Sequence, residues 1–195
     1  NETEGRQIEL SKGCKNLRLM VSGSAALPVS VLDKWESITG HRLLERYGMT
    51  EIGMAISNSY NGERRAGFIG TPLPGVRVRI ADEIGDIIET ENLQGEIQIK
   101  GAAVFKEYWN KLQETTESFT KDGWFKTGDS AVLLNDYYKI LGRNSVDIIK
   151  SGGYKISALE VESKLLDHPE IDECAVFGIV DEEWGEIVAS AVVSS

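Results

Sequence analysis

Leu44-Glu45-Arg46-Tyr47-Gly48-Met49-Thr50-Glu51 decides how this chain is read. The octapeptide closes a short apolar run and then sets an aromatic ring, a glycine, a hydroxyl and a carboxylate in order. Each suits a nucleotide site. A glycine such as Gly48 lets backbone approach a ligand closely. The Thr50 hydroxyl can hydrogen-bond a phosphate oxygen. Glu51 can hold a magnesium ion, since hard cations take oxygen ligands. The flat ring of Tyr47 can lie against a base or a ribose. The same residues also read as a strand end, a glycine turn and a helix cap, and the octapeptide alone does not choose between the two.

Working back toward the N-terminus, the texture is α/β. Residues 17–21 are an apolar run ending in Ser22-Gly23-Ser24, which reads as a buried strand feeding a glycine turn. Pro28 stands where a helix begins, a place where its missing N–H costs nothing. Val31, Leu32, Trp35 and Ile38 then give one apolar helix face, closed by Gly40. Residues 43–45 are a second short strand that leads into the octapeptide. In strand–turn–helix–strand units, ligands sit at the carboxyl ends of the strands.

Between about 66 and 141 the pattern becomes β. Val76-Arg77-Val78-Arg79-Ile80 alternates with period two, as does Gly95-Glu96-Ile97-Gln98-Ile99-Lys100. Residues 131–134, the pair Asn135-Asp136 and residues 137–141 read as a hairpin. Short strands with Gly and Pro punctuation predict a small β-barrel or curled sheet, and the acidic stretch 83–93 a solvated loop. From Gly142 the pattern changes again. Residues 146–150 are a strand, Ser151-Gly152-Gly153 a turn, and Ser157-Ala158-Leu159-Glu160 a capping box. The helix it opens runs to His168, where Pro169 stops it, and 171–180 and 187–193 are two further strands.

Composition narrows the classes. The chain has 195 residues, 41% hydrophobic and 27% charged, as a globular protein does. A formal charge of −10 speaks against a nucleic-acid binder, which needs a basic face. It does not speak against a bound nucleotide, which needs only local donors. No stretch approaches the roughly 20 apolar residues of a membrane span. Cys14 and Cys174 are too few for a disulfide scaffold and read as reduced thiols. The chain begins Asn1-Glu2-Thr3-Glu4 and stops at Val192-Val193-Ser194-Ser195 in a strand-like run, so a fragment of a longer protein is expected.

Three further signals accompany the octapeptide. Ser22-Gly23-Ser24-Ala25-Ala26-Leu27-Pro28 leaves room for a flat ring against backbone, or is simply a turn. Gly123-Trp124-Phe125-Lys126-Thr127-Gly128-Asp129 ends in a carboxylate that can accept both ribose hydroxyls, as the acidic residue of dinucleotide folds does, or is a turn Asp. Gly142-Arg143 offers a planar guanidinium fork. It is followed by Lys150-Ser151-Gly152-Gly153-Tyr154-Lys155, whose glycine pair can line a narrow channel or serve as a domain linker.

Taken in this order, the four signals resemble the adenylate-forming superfamily of acyl-CoA synthetases, peptide-synthetase adenylation domains and luciferases. Within it the octapeptide and the Ser-Gly-Gly-Tyr-Lys segment look most like malonyl-CoA synthetases. The resemblance covers residues 17–193. It implies an α/β fold with a β-barrel subdomain plus a partial α+β C-terminal lid, an adenylate-forming fold incomplete at both ends. Residues 1–141 would be the last part of the large domain (α/β to about 65, barrel from about 66) and 142–195 the first part of the lid.

The activity implied is a two-step acid–CoA ligase reaction using ATP, magnesium and CoA. A small carboxylate is adenylated, the lid swings, and the thiol of CoA displaces AMP. By the same resemblance Ser24, Ala25 and Ala26 would flank the adenine, with Glu45, Tyr47, Gly48 and Met49 on the adenine and ribose side. Thr50 and Glu51 would carry the chemistry, Thr50 on phosphate and Glu51 on the metal. Asp129 and Arg143 would take the ribose hydroxyls. Lys150, Ser151, Gly152 and Gly153 would meet CoA. Arg46 would grip the distal carboxylate of malonate or methylmalonate, a strong and directional pairing; otherwise it is a structural Arg paired with Glu45 or Glu51. The family's phosphate loop lies upstream of this stretch and its catalytic Lys downstream. The hinge Asn144-Ser145-Val146-Asp147 is one residue longer than the commoner pattern, which leaves Ser145 or Asp147 as pivot. Malonyl-type relatives are mitochondrial in animals and cytoplasmic in bacteria. A monocarboxylate acyl-CoA synthetase, or a non-catalytic nucleotide-binding product, would share many of these features.

Overall fold

The computed structural model describes residues 2–194, and those residues form four helices and three four-stranded sheets. The first element, helix α1 (Glu2–Cys14), has no apolar stripe that periodicity could reveal, and its Ile8 and Leu10 are exposed. It lies beside α2 (Val29–Thr39), whose neighbour His41 places a ring nitrogen 2.9 Å from the carbonyl of Cys14.

Before α2 comes β1 (Val21–Ser22), far shorter than the apolar run 17–21 predicts. Leu17 and Val21 are exposed, because β1 has a neighbour on one side only. It pairs in parallel with β2 (Leu44–Met49) across the α2 crossover. Pro28 is the N-cap, Leu32 is the buried contact of the helix, and Gly40 closes it in the left-handed conformation with its N–H on Glu36 O.

The first six residues of the octapeptide form β2 and its last two open a turn, but no helix follows. After Met49 the chain turns at Thr50-Glu51-Ile52 and returns antiparallel as β3 (Gly53–Ser57), with a bulge between Tyr47 and Gly48. A Cβ on Gly48 would stand 2.2 Å from the carbonyl oxygen of Gly53. The facing strand therefore demands this glycine, whether or not a ligand approaches. β4 (Thr71–Pro72) completes the sheet in the order β1-β2-β3-β4.

The second sheet is an antiparallel meander of β5 (Val76–Ala81), β6 (Gly95–Gly101), β7 (Phe125–Leu134) and β8 (Tyr137–Arg143). Among the described residues its outer strands do not pair with each other, so of the two forms expected, barrel or curled sheet, this is the open sheet. Its β8 edge is instead continued by the bridge between Tyr138 and Gly70, next to β4. The expected hairpin is present, with Asn135 and Asp136 both left-handed (φ 49° and 65°) as a two-residue turn requires. β7 starts earlier than hydropathy shows, since Thr127 and Asp129 are polar yet buried. The short helix α3 (Leu112–Glu117) sits between β6 and β7. Ile52, Ala55 and Ile56 from the first sheet join Ile80, Ile97, Ile99 and Phe125 from the second in one core, which fixes the β2–β3 hairpin against the meander.

The third sheet, in the order β10-β9-β12-β11, holds β9 (Ile148–Ser151), β10 (Tyr154–Ser157), β11 (Ile171–Asp181) and β12 (Gly185–Ser194). Helix α4 (Ala158–Leu165) packs on it through Ile149, Ala158 and Val176. Half of the expected capping box forms. The Ser157 hydroxyl accepts from the N–H of Glu160 at 3.1 Å and donates to Leu141 O at 2.6 Å. The Glu160 carboxylate pairs with Lys139 on β8 rather than returning to Ser157. The helix ends at Leu165, one turn short of His168. Both cysteines are free and half-buried, and among the described residues no helix is long and apolar enough to cross a membrane.

Candidate active site

The β2–β3 hairpin presents chemistry on both faces and at its tip. Alternation along β2 puts Arg46 and Tyr47 on opposite faces. On one face, an open groove of about 220 Å³ is lined by Ser22, Gly23 and Ser24 from the β1 turn, Arg46 and Gly48 from β2, and Met54 from β3. A Cβ on Gly23 would lie 3.3 Å from Arg46 O, so the glycine turn rests directly on Arg46. Ser24 is held at φ 70°, a costly conformation for a non-glycine residue and one that concentrates at functional sites. Arg46 is exposed and, among the described residues, forms no ion pair. Glu45 and Glu51, the acids that a purely structural Arg46 would use, are engaged elsewhere.

On the other face, Tyr47 donates its hydroxyl hydrogen to Asp129 Oδ2 at 2.6 Å. The second oxygen of Asp129 faces Arg143 Nε at 3.0 Å. The N–H of Asp129 donates to the Thr127 hydroxyl, and Arg143 Nη1 to Thr127 O. Burial raises the pKa of Asp129, while Tyr47 and Arg143 pull it down. Burial also raises that of Tyr47, with the Asp129 charge adding to the effect, so the phenol remains a donor. Arg143 is positioned by its own backbone, whose N–H donates to Asp147 Oδ2 at 2.8 Å. A Cβ on Gly142 would strike the Asp147 side chain at 2.4 Å, which explains the glycine before Arg143. Asp147 also accepts the N–H of Ala158 through its carbonyl, so the turn 143–147 ties Arg143 to the start of α4.

At the hairpin tip, Thr50 is exposed and Glu51 is held at two points. Its carbonyl accepts from the N–H of Phe105 at 2.7 Å and its Oε1 from the Tyr108 hydroxyl at 3.0 Å. The charge of Arg143 acts on Tyr108 as it does on Tyr47 and Asp129, so the tip and the Asp129 cluster share one electrostatic neighbourhood.

Other residues singled out in the sequence are not gathered here. Glu45 is buried, with Oε1 accepting from Gly67 N–H at 3.1 Å, and burial raises its pKa to about 7. Met49 packs against the core. Ala25 and Ala26 are exposed beyond the groove lining. Lys150 pairs with Glu83 at 3.1 Å, as does Lys155. Ser151, Gly152 and Gly153 form the tip of the β9–β10 hairpin, where a Cβ on Gly152 would meet the Trp184 ring at 2.7 Å. Sequence reading missed Met54, Tyr108 and Glu83. For Met54 the period-two offset from Gly48 across a hairpin was the available signal, once the hairpin was known.

A model of the AMP-binding enzyme family matches residues 3–109, and one of the AMP-binding enzyme C-terminal domain matches 160–195. The chain belongs to the AMP-binding enzyme family. Among its relatives, the mitochondrial malonate–CoA ligase of Xenopus laevis is 55% identical over 91% of this chain and 34% of its own length. The chain thus spans about a third of the length of the curated relatives it matches. Of solved structures, ATP-bound MatB from Rhodopseudomonas palustris superposes with a TM-score of 0.89 at 39% identity, covering 95% of this chain and 37% of MatB. A malonyl-CoA ligase ternary product complex with methylmalonyl-CoA and AMP bound superposes with a TM-score of 0.67 at 46% identity, covering 100% and 42%. The adenylate-forming fold expected from the four motifs is therefore the observed one.

Proposed function

We propose that this chain is part of an ATP-dependent acid–CoA ligase whose substrate is malonate or methylmalonate. One observation carries the substrate: Arg46 lines the groove with its guanidinium free of any acid partner among the described residues. A carboxylate entering the groove would meet a planar fork suited to two parallel hydrogen bonds. A monocarboxylate has no second group to offer it. The names of the malonate–CoA and malonyl-CoA ligase relatives support the same reading.

The residues divide the work as follows. Asp129, oriented by Tyr47, accepts the ribose hydroxyls, and Arg143 exchanges its ion pair with Asp129 for contacts to the nucleotide. Thr50 donates to a phosphate oxygen, while Arg46 holds the far carboxylate so that the near one faces the α-phosphate. Positioning of this kind and preorganised donors account for most of the barrier lowering available to a phosphorus centre. Magnesium fits at Glu51: its Oε2 has no protein partner among the described residues, and no cluster of three or more metal-ligating side chains exists there. A single carboxylate plus substrate phosphates is the usual set for this ion. Bound there, magnesium would neutralise phosphate charge. Ser151, Gly152 and Gly153 would meet CoA once the β9–β10 hairpin leaves Glu83. The mitochondrial relatives support a mitochondrial location, which fractionation of the native cell would check.

The test is a substrate panel on the ligase carrying this chain. Arg46→Ala should lower kcat/KM for malonate by roughly 10- to 100-fold, as loss of hydrogen bonds between charged groups does, and spare acetate. Equal losses on both acids would overturn the assignment.

A further inference from the structure

We infer that Tyr108 is a positioning residue for Glu51, fixing which carboxylate oxygen is left for the metal-bound nucleotide. The inference rests on the reading of Glu51 given above and assigns a role to a segment, Phe105-Lys106-Glu107-Tyr108, that the four motifs do not include.

Tyr108 and Phe105 grip the hairpin tip from one side. Phe105 fixes the Glu51 backbone through its N–H, and the Tyr108 hydroxyl fixes Oε1. The gripping segment is itself rigid. The two rings pack at 4.6 Å, and Phe105 is wedged against Phe119 at 5.6 Å and Phe125 at 5.3 Å. The N–H of Tyr108 donates to the Thr115 hydroxyl on α3 at 2.9 Å. A carboxylate with one oxygen tied to a rigid donor cannot rotate freely or chelate with both oxygens. Oε2 is then presented in one orientation. Hydrogen bonds to metal-ligating carboxylates act in this way, and their loss typically weakens metal affinity about 10- to 100-fold.

The experiment measures metal binding without turnover. In the ligase carrying this chain, Mn2+ is titrated by electron paramagnetic resonance in the presence of α,β-methylene-ATP. Wild type is compared with Tyr108→Phe, Glu51→Gln and the double variant. Nucleotide affinity is measured in parallel with the metal chelated. Tyr108→Phe keeps the ring on Phe105 and should raise the Mn2+ Kd about 10-fold or more, leaving metal-free nucleotide affinity unchanged. The double variant should lose little beyond Glu51→Gln alone, the signature of two residues acting as one. Unchanged Mn2+ affinity in Tyr108→Phe beside a weakened Glu51→Gln would overturn the Tyr108 role and leave Glu51 standing. Unchanged affinity in Glu51→Gln would overturn both. Equal weakening of metal-free nucleotide binding, or additive losses in the double variant, would reduce Tyr108 to a structural residue.

Discussion

Tyr47 and Asp129, 82 residues apart in sequence, are joined by a 2.6 Å hydrogen bond in which the phenol donates to the carboxylate. That bond links the first sheet to the second and leaves Asp129 with one oxygen on Tyr47 and the other on Arg143. Tyr47 is therefore an orienting group for a carboxylate, besides whatever its ring face contributes.

Tyr47→Phe should weaken AMP binding about 10-fold, in keeping with loss of a hydrogen bond to a charged group. The pH dependence gives a sharper readout. Tyr47 pulls the Asp129 pKa down against the effect of burial. Removing the hydroxyl lets that pKa rise, so the acid limb of AMP binding should move to higher pH. Calorimetry of AMP binding across the mildly acidic range checks this, and an unmoved acid limb would refute it.

The contrast between Arg46 and Tyr47 shows what the sequence carried and what it did not. The motif order identifies the fold, and the alternating strands from Val76 to Lys100 and the Asn135-Asp136 hairpin appear where they were expected. The octapeptide's own conformation was not legible, because Gly48 inside it reads as a turn. What keeps it a strand is the carbonyl of Gly53 arriving from β3, a tertiary contact. The strand that carries Asp129 was not legible either, because a buried polar residue breaks the hydropathy pattern on which strand recognition depends. Tyr108 left no local trace of its role, since the hydrogen bond that defines it spans 57 residues. Short-range pattern reports alternation and caps; it is blind to which distant donor satisfies a given carboxylate.

Gly48→Ala tests the structural reading of that glycine. The added Cβ meets backbone that cannot move without breaking the hairpin, so a loss of about 2 to 4 kcal/mol is expected. Gly53→Ala provides the contrast. Its added Cβ would have nothing nearer than Ala103 Cβ at 3.8 Å, leaving only the strain of a φ of 61°, on the order of 1 kcal/mol. Denaturant unfolding should rank Gly48→Ala clearly below Gly53→Ala. The reverse order would mean that the strands separate easily and that Gly48 is kept for a ligand alone.

Glu45 predicts an unusual pH profile of stability. Its folded pKa of about 7 stands above the ordinary carboxylate value of 4.5, so between those values the folded state binds the extra proton. Stability from this group is therefore present at acid pH, falls as pH rises through that window, and is level above it. Glu45→Gln keeps an acceptor for the N–H of Gly67 and removes the titration. The variant should unfold at the same denaturant concentration as wild type at about pH 4 and be more stable by roughly 3 kcal/mol at about pH 8. Parallel profiles for the two proteins would show that Glu45 titrates as an ordinary surface acid.

Glu83 predicts a salt-dependent restraint on the turn 143–147. Lys150 and Lys155 face each other across the β9–β10 hairpin, and like charges directly opposite repel. The Glu83 carboxylate reaches both at 3.1 Å and is held below the usual carboxylate pKa by them. The contact spans the turn 143–147, so it restrains that turn from the far side. An exposed cluster of this kind contributes little and is screened by salt. Glu83→Gln should therefore speed proteolysis within 143–147 by roughly two- to fivefold at low ionic strength. The difference should vanish in about 1 M salt, where charges interact over only ~3 Å. A difference that persists at high salt would assign the restraint to packing, and no difference at low salt would leave Lys139–Glu160 and the bond from Ser157 to Leu141 as the contacts that hold the turn in place.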